Sequence, residues 1–320
     1  MDNLFQQIRS ACKLVAGRAT QVRIREDRLS AYAASLPVQR ALHPEHDPER
    51  HYLGHGEDTA AFFVTLDAIN FMSGYNPHLR KRPGMSGYFT IAAALNDHFR
   101  QYGPLSAQEL ARLDNERCAS LFDQELANPA ARELMELYAQ ALNELGRYLI
   151  EGYGGSFAAL IETADCSAER LVRLLIRMPF FNDVETYGDL QVPLFKRAQL
   201  TAADLELAFN GRQWGHFADS QQLTIFADNL VPHVLHVDGV LEYDESLAAR
   251  IGREELIPSG CPEEVEIRAC GLHAVELLAA ELGNQRQQVT ARGLDYLLWN
   301  RGQEPYYKAR PRHRTRSVYY

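Results

Sequence analysis

Apolar residues recur at helical spacing along most of this chain, and no convincing series of alternating strands separated by turn residues interrupts them. The pattern predicts an all-α fold. Ser106 and Glu109 match a capping box at the start of one helix. Asn128 and Pro129 predict the start of another helix, which runs to about Ile150.

Two further segments are predicted to form long helices that carry polar side chains among apolar ones. Residues 59–72 are apolar nearly all round, which predicts a helix through the interior. Asp67 and Asn70 lie there at i and i+3, so both project from one face, into either a polar cavity or a satisfied buried network. Residues 262–282 carry an apolar stripe, and Arg268 is interpreted as structural.

Glycines interrupt the helical pattern at Gly152, Gly154 and Gly155 and mark the best hinge in the chain. We therefore expect one folded unit over residues 1–320, open to division into two helical lobes of about 1–152 and 153–320 with the pocket between them. The glycines do not form a phosphate loop. No Gly-Lys-Ser or Gly-Lys-Thr follows them, and a GxGxxG turn is also missing.

Asp228 is a carboxylate inside a mainly apolar segment, which begins at Leu223. Burying it unpaired would cost several kcal/mol or force it to hold a proton, so the segment is a candidate site. Alternatively, Asp228 caps a helix that begins near Asn229 and has Pro232 in its first turn. The local sequence does not choose between these interpretations.

Composition and charge exclude several classes of protein. With 320 residues, of which 46% are hydrophobic, the chain can bury a full core. A net charge of -9 opposes nonspecific binding to DNA or RNA, so we expect no stable nucleic-acid complex. The five cysteines show no CxxC spacing, which fits reduced thiols. The first residues do not resemble a signal peptide, and no uncharged run reaches bilayer length, so we predict a cytoplasmic protein without membrane contact.

The C-terminal segment is the basic exception. Its cations are Arg301, Lys308, Arg310, Arg312, Arg314 and Arg316. Such a run is usually a solvated tail, whereas the terminal Tyr319 and Tyr320 favour docking onto the body.

Several motifs are weak candidates for chemistry. His43, His46, His51 and His55 cluster before the helix at 59–72, but no HExxH occurs, and we expect no metal. Instead of binding a metal, one of these histidines can hydrogen-bond a ligand from the loop. GxSxG is missing, and no cysteine has cationic neighbours in sequence.

One helix start is suited to a charged ligand, and one helix face is suited to a planar ligand. Lys196 and Arg197 precede a helix, where one can meet a phosphate and the other a carboxylate, or both can lie on an exposed face. In the helix predicted over 290–300, Tyr296 and Asn300 share a face and Asp295 is adjacent. Rings and hydrogen-bonding groups in this mixture suit a planar ligand or an ordinary interface.

Taken together, these segments resemble the queuosine salvage protein family, the queuosine 5'-phosphate N-glycosylases, from about residue 50 to the end. The order of several short motifs is more specific than any one of them. The matching segments are 67–71, 87–89, 155–157, 180–183, 195–199, 224–232, 265–269, 295–299 and the terminal tyrosines.

The resemblance implies a helical fold related to helix-hairpin-helix DNA glycosylases, and release of queuine and ribose 5-phosphate from queuosine 5'-monophosphate without any cofactor. It places the catalytic carboxylate on Asp228 and a base-stacking ring on Phe226. Asp295 and Tyr296 match the family's ligand-binding pair. The family can carry an acid where this chain has Asn300.

The resemblance also implies a histidine contact from the N-terminal loop, for which we select His51, with His55 as the substitute. Asp67 joins the predicted substrate-binding residues, and Lys196 or Arg197 is the first choice for the 5'-phosphate, with the basic tail second. Two alternatives to an N-glycosylase are a nucleic-acid-binding or repair module of the same fold and a noncatalytic helical scaffold that binds a protein partner.

Overall fold

Helices follow one another along most of the chain, as the sequence pattern predicts. The computed structural model describes residues 3–39 and 44–320. The helices in chain order are α1 (Leu4–Arg18), α2 (Glu26–Ser35), α3 (Glu57–Ala68), α4 (Gly87–Tyr102), α5 (Ala107–Leu110), α6 (Asn115–Leu121), α7 (Pro129–Tyr153), α8 (Phe157–Thr163), α9 (Ala168–Leu175), α10 (Lys196–Ala208), α11 (Leu230–Val237), α12 (Glu245–Gly252), α13 (Pro262–Asn284), α14 (Ala291–Arg301) and α15 (Pro305–Lys308). Within the described ranges, none of these helices combines the length and apolar character needed to cross a bilayer.

Short strands add two small sheets to the helices, which a strictly all-α prediction does not include. The strands are β1 (Val22–Ile24), β2 (Val184–Tyr187), β3 (Leu190–Pro193) and β4 (Leu241–Tyr243). β1 pairs with β4 and β2 pairs with β3, both antiparallel. Gly188 lies in the turn between β2 and β3 with φ of 61°, a left-handed conformation that favours glycine. Across residues 3–39 and 44–320 the fold is thus predominantly helical, with one hairpin and one long-range strand pair.

The chain divides into two compact units, and each is assembled from separated segments. Unit 1 contains residues 1–44, 183–196 and 221–316, of which the structure describes 3–39 and 44 in the first segment. Unit 2 contains residues 45–182, 197–220 and 317–320. This division differs from the predicted boundary near residue 152, because that position lies inside unit 2.

In unit 1, helix α13 is central and packs against α1, α2, α11 and α14. Its surface is buried nearly all round, so its charged side chains need partners inside the unit. Glu266 is fully buried and accepts hydrogen bonds from the backbone amides of Gln21 at 2.7 Å and Val22 at 3.0 Å. This carboxylate therefore fixes the start of β1 against α13.

In unit 2, the long helix α7 packs against α3, α5, α6 and α8. Gly146 permits the contact with α5, because a Cβ at this position would lie 2.4 Å from the backbone nitrogen of Ala111. At the end of α7, Gly154 adopts φ of 61° and stops the helix, after which Ser156 caps α8. The predicted interruption is confirmed here as a helix boundary.

Most predicted helix boundaries agree with the structure. Both hydrogen bonds of the Ser106 capping box are present, Asn128 caps α7, and Thr290 caps α14. The prediction for residues 59–72 was wrong at its end, because α3 stops at Ala68. Asn70 therefore lies beyond the helix and does not share a helical face with Asp67.

Candidate active site

The segment that contains Asp228 runs into the start of α11. Asp228 Oδ1 accepts hydrogen bonds from the backbone amides of Leu230 at 2.7 Å and Val231 at 3.3 Å. Asp228 therefore caps this helix, as one of the two interpretations predicted. The positive end of a helix also interacts favourably with an anion, so capping and a charged functional role are compatible. The side chain of Asp228 is only partly buried, and its Oδ2 atom makes no hydrogen bond to the described residues.

A second carboxylate, that of Asp295 in α14, lies beside this segment. Its Oδ1 atom accepts a hydrogen bond of 2.9 Å from the backbone amide of Phe226. Burial, followed by the negative charge of Asp228, raises the pKa of Asp295 well above its ordinary value. The Phe226 amide and the charge of Lys196 act in the opposite direction. Two neighbouring carboxyl groups thus have different environments, an arrangement that suits one acid and one anion.

Lys196 belongs to this cluster at the first position of α10. Its side chain is buried, and its charge acts on Asp295. The backbone amide of Lys196 donates a hydrogen bond of 3.1 Å to Asp183 Oδ2. Phe195, immediately before it, has φ of 47°, which turns the chain sharply from β3 into the helix.

A buried ion pair supports both parts of the cluster. Arg268 NH2 lies 2.6 Å from Asp183 Oδ2, and NH1 lies 3.0 Å from Asp183 Oδ1. Arg268 Nε donates a hydrogen bond of 2.9 Å to the carbonyl oxygen of Ala227, directly before Asp228. The Arg268–Asp183 pair therefore connects the Asp228 segment to the start of α10. The structural role predicted for Arg268 is consistent with these contacts.

Tyr296 and Asn300 line a cavity of about 740 Å³ in unit 1. The remaining lining residues are Ser35, Pro37, Gln39, Leu297, Arg301 and Glu304. The predicted common face of Tyr296 and Asn300 is therefore present. Asn300 Nδ2 donates a hydrogen bond of 2.9 Å to the carbonyl oxygen of Tyr296. Asp295 points instead to the Phe226 backbone.

In unit 2, His51 is buried and both ring nitrogens have hydrogen-bond partners. Nδ1 lies 3.1 Å from the carbonyl oxygen of Asp47, and Nε2 lies 3.1 Å from the hydroxyl of Tyr88. Burial lowers the pKa of His51 to about 4, so the ring is neutral near pH 7. A neutral imidazole in this position is a hydrogen-bonding group and not a cation.

Tyr88 is bonded to His51, and Asp67 acts electrostatically on Tyr88. Asp67 is fully buried. Burial raises the pKa of Tyr88, and the charges of Asp204 and Asp67 raise it further. Within unit 2, Tyr88 thus has His51 as a hydrogen-bond partner and Asp67 as a charged neighbour.

Arg197 also lies in unit 2, where backbone carbonyl groups bind its guanidinium. NH1 donates to the carbonyl oxygens of Asp67 and Ala68. NH2 donates to those of Phe180 and Val318. Lys196 and Arg197 are adjacent in sequence but have different environments. Lys196 acts electrostatically on Asp295, whereas Arg197 links backbone segments through hydrogen bonds to their carbonyl groups.

The other loop histidines have stacking partners. His55 is exposed and stacks on Tyr52 with ring centroids 4.0 Å apart. His46 stacks on Phe63 at 4.4 Å, and burial lowers its pKa to about 3. His43 lies outside the described residues. Among the residues that are described, no group of three His, Cys, Asp or Glu side chains is arranged to hold a metal ion.

Comparison with known proteins identifies the family of this chain. A sequence model of the family described as queuosine salvage protein matches residues 50–320. The chain belongs to this family. A queuosine 5'-phosphate N-glycosylase/hydrolase from Sphaerobacter thermophilus is 36% identical over 311 residues, which cover 96% of this chain and 95% of that protein. Proteins with the same description from Mus musculus and Bos taurus are 32% and 31% identical, over 89% and 100% of this chain and 90% and 100% of their own lengths. The predicted family resemblance is confirmed.

Sequence reasoning missed the parts of the candidate site that depend on long-range contacts. Asp183 and Arg268 lie in segments that carried the resemblance, but their mutual ion pair spans 85 positions along the chain. Charged residues in otherwise apolar helices were the available signal, and they do not identify the partner. The relation of Asp295 to the Phe226 backbone was equally invisible before the structure.

Proposed function

We propose that this protein is an N-glycosylase that hydrolyses queuosine 5'-monophosphate to queuine and ribose 5-phosphate. The observation that supports the reaction type is the neighbouring pair of carboxyl groups, Asp228 at a helix N-terminus and Asp295 with a strongly raised pKa. The described activity of the family relatives supports the substrate. No cofactor enters the proposed reaction.

Asp228 is the proposed catalytic residue. Cleavage sends the electron pair of the glycosidic C–N bond to the base and leaves positive charge on the ribose ring. Water then forms the new C–O bond at the anomeric carbon, and the proton that it loses balances the proton taken up by the departing base. A fixed carboxylate beside the anomeric carbon stabilises this charge more in the transition state than in the substrate. Asp228 Oδ2 is suited to this role, since Oδ1 is held by two amides of α11.

Asp295 is the proposed hydrogen-bond donor to the departing base. A 7-deazapurine has no ring nitrogen at the usual protonation site, so the charge of this leaving group must be stabilised elsewhere on its edge. The raised pKa of Asp295 favours the protonated form of its carboxyl group, and the Phe226 amide orients it through Oδ1. The second oxygen can then donate a proton or a hydrogen bond to the base.

The remaining base-binding roles stay predictions. We assign ring stacking to Phe226 and edge contacts to Tyr296 and Asn300, which line the cavity of unit 1. His51 is the preferred histidine, and a ligand bond to its Nε2 would replace the bond to Tyr88. His55 is the substitute.

We assign other roles to Asp67 and Arg197, which the sequence analysis placed among the ligand-binding residues. We keep Asp67 as a residue that sets the polarity around Tyr88. We no longer favour Arg197 for the phosphate, because backbone carbonyl oxygens already bind both terminal nitrogens of its guanidinium.

The function is tested by incubating the purified protein with queuosine 5'-monophosphate and separating the products by chromatography. We expect equal amounts of queuine and ribose 5-phosphate. The same incubation with Asp228→Ala is the enzyme control, because it excludes a contaminating hydrolase. Absence of queuine with the wild-type protein, under conditions where the protein is folded, would reject the proposal.

Three wider inferences accompany this function. We propose that the helical arrangement is related to the helix-hairpin-helix DNA glycosylases, which a fold comparison with an experimental structure tests. The net charge of -9 supports the prediction that the protein forms no stable complex with nucleic acid, and a tRNA binding titration tests it. The cytoplasmic location also stays a prediction, for which cell fractionation is the test.

A further inference from the structure

Two glycines contact the first turn of α11 more closely than a residue with a side chain can. A Cβ at Gly271, in α13, would lie 2.8 Å from Cγ of Pro232. A Cβ at Gly302, directly after α14, would lie 2.7 Å from both Cγ and Cδ1 of Leu230. Nonbonded carbon atoms prefer separations of about 3.5 to 4 Å, so a methyl group at either position would displace its neighbour. Leu230 and Pro232 are buried and have little room to move.

The backbone conformation does not require glycine at either position. Gly271 lies inside α13, where alanine has the higher helix propensity. Gly302 has φ of -62° and ψ of -15°, a right-handed conformation that any residue adopts. Both glycines therefore provide the absence of a Cβ, which lets two elements reach α11. Elsewhere in α13, Gly283 faces open space, since no described atom lies within 4 Å of a Cβ there.

These close contacts lie beside the proposed catalytic carboxylate. The amide of Leu230 donates the hydrogen bond of 2.7 Å that holds Asp228 Oδ1. Gly302 therefore contacts the residue that fixes the carboxylate, and it follows the helix that carries Asp295. The distance between the end of α14 and Leu230 thus affects how far apart the two carboxyl groups lie.

Helix α13 contacts the Asp228 segment twice from one face. Arg268 and Gly271 are three positions apart, so they lie on the same side of the helix in successive turns. Arg268 Nε donates a hydrogen bond of 2.9 Å to the carbonyl oxygen of Ala227, before Asp228, and Gly271 meets Pro232 after it. α13 therefore holds the chain on both sides of Asp228.

Hydrogen bonds and an ion pair at the other end of α11 limit how this helix can move. Asp238, directly after α11, accepts hydrogen bonds from the hydroxyl groups of Tyr32 at 2.6 Å and Tyr307 at 2.8 Å. Its Oδ2 atom also lies 3.6 Å from NH1 of Arg301, the residue before Gly302. Because this end is fixed, we expect a side chain at Gly302 to displace the first turn of α11 and not to shift the whole helix.

We propose that Gly271 and Gly302 are positioning residues for the reaction, and that their close contacts with α11 set the distance between Asp228 and Asp295. This inference rests on the proposed function for the roles of the two carboxyl groups. It adds a requirement to that function, namely that the pair works only at the spacing that the two missing side chains permit. Each glycine acts through α11 and not on the substrate itself.

The test compares Gly302→Ala and Gly271→Ala with Gly283→Ala, the matched control in α13. For the first two variants we expect kcat for queuine release from queuosine 5'-monophosphate to fall about 100-fold, as for misplacement of a catalytic group by about 1 Å. KM should change less than about 3-fold, because the substrate-binding groups remain. Gly283→Ala should keep the wild-type kcat and a melting temperature at or above that of wild type. An unchanged kcat in either Gly302→Ala or Gly271→Ala, or a loss confined to KM, would overturn the inference.

A compensating substitution separates lost spacing from lost folding. The three atoms nearest to a Cβ at Gly302 all belong to the side chain of Leu230. Leu230→Ala removes them and keeps the amide that holds Asp228. We expect the double variant Leu230→Ala/Gly302→Ala to have a higher kcat than Gly302→Ala alone, although Leu230→Ala lowers the melting temperature. A double variant whose loss in kcat is the product of the two single losses would overturn the inference.

A measurement without substrate separates this inference from the proposed function. Burial and then the charge of Asp228 raise the pKa of Asp295, whereas the Phe226 amide and the charge of Lys196 lower it less strongly. Wider spacing should therefore lower this pKa in Gly302→Ala and leave it unchanged in the control variant. Carboxyl-carbon NMR measures it, with Asp295→Asn to assign the signal. A lower pKa in Gly302→Ala would support the spacing role even if wild type releases no queuine, whereas an equal pKa in wild type and Gly302→Ala would overturn it.

Discussion

The carboxylate of Asp295 accepts a hydrogen bond of 2.9 Å from the backbone amide of Phe226. This contact joins α14 to the segment before Asp228 and brings two acidic side chains into electrostatic contact. Because the pair shares a small region, the ionised form of one carboxyl group disfavours ionisation of the other. The proposed division of labour between an anionic Asp228 and a protonated Asp295 follows from this relationship.

The protonated state of Asp295 predicts how activity depends on pH. Since the pKa of Asp295 is raised, its carboxyl group keeps the proton to a higher pH than an ordinary aspartate and loses it as the pH rises through that pKa. Activity should therefore decline on the alkaline side. In Asp295→Asn, an amide replaces the titrating group, so we expect a lower kcat/KM without that alkaline decline. The measurement is kcat/KM as a function of pH, and an unchanged alkaline limb in Asp295→Asn would assign it to another group.

We expect loss of the buried ion pair between Arg268 and Asp183 to lower the free energy of unfolding much more than loss of a surface ion pair. Asp183→Asn leaves the charge of Arg268 buried without its counter-ion and should lower the free energy of unfolding by about 3 kcal/mol. The matched control is Asp189→Asn, which removes the ion pair of an exposed side chain with Arg18 and should change stability little. Urea unfolding measures both. Equal effects of the two substitutions would contradict the role assigned to the buried pair.

The raised pKa of Glu185 predicts that the stability of the folded protein falls as the pH rises. Burial, then the charge of Glu264, raises the pKa of Glu185 from 4.5 to about 7. The folded state therefore holds this proton more tightly than the unfolded state, and the resulting stability is present below pH 4.5 and lost as the pH rises to about 7. Glu185→Gln removes this loss. Its melting temperature relative to wild type should increase across that range.

Glu242→Gln is the control for the Glu185 prediction. It also replaces a strand glutamate by glutamine, but at a side chain that is half exposed. Thermal unfolding at several pH values measures both variants. A difference between Glu185→Gln and wild type that does not vary with pH would contradict the prediction.

Local signals explain why much of the helical structure was predicted from the sequence. The capping box at Ser106 and the Asn128–Pro129 start depend on residues within one turn, and both are present in the structure. The end of α3 was missed because the apolar run continues past Ala68, so hydrophobicity alone gave no stop signal. The short strand pair of β1 and β4 was missed for another reason, since its partners are far apart in sequence.

The assembly of the units was not predictable from composition. Gly152, Gly154 and Gly155 gave a strong local break, but a helix boundary does not specify which segments pack together. Lys196 and Arg197 illustrate the same limit at the site. Successive helix positions point about 100° apart, and only tertiary packing decides that one meets Asp295 and the other the carbonyl oxygens of Asp67 and Ala68.

The catalytic role of Asp228 has one complication, because the same carboxylate caps α11. Asparagine is as good an N-cap as aspartate, so Asp228→Asn keeps the cap and removes the charge. Asp244→Asn is the matched control, since Asp244 caps α12 through a bond of 2.9 Å to the amide of Ser246. A difference between these two variants therefore reports the charge of Asp228 and not the loss of a cap.

The most direct measurement is the single-turnover rate of queuine release by Asp228→Asn, together with its affinity for queuine. We predict a rate about 1000-fold below wild type, as for loss of a transition-state electrostatic contact, with queuine affinity nearly unchanged and Asp244→Asn at the wild-type rate. A rate for Asp228→Asn within a few-fold of wild type would contradict the assignment of Asp228 as the catalytic carboxylate.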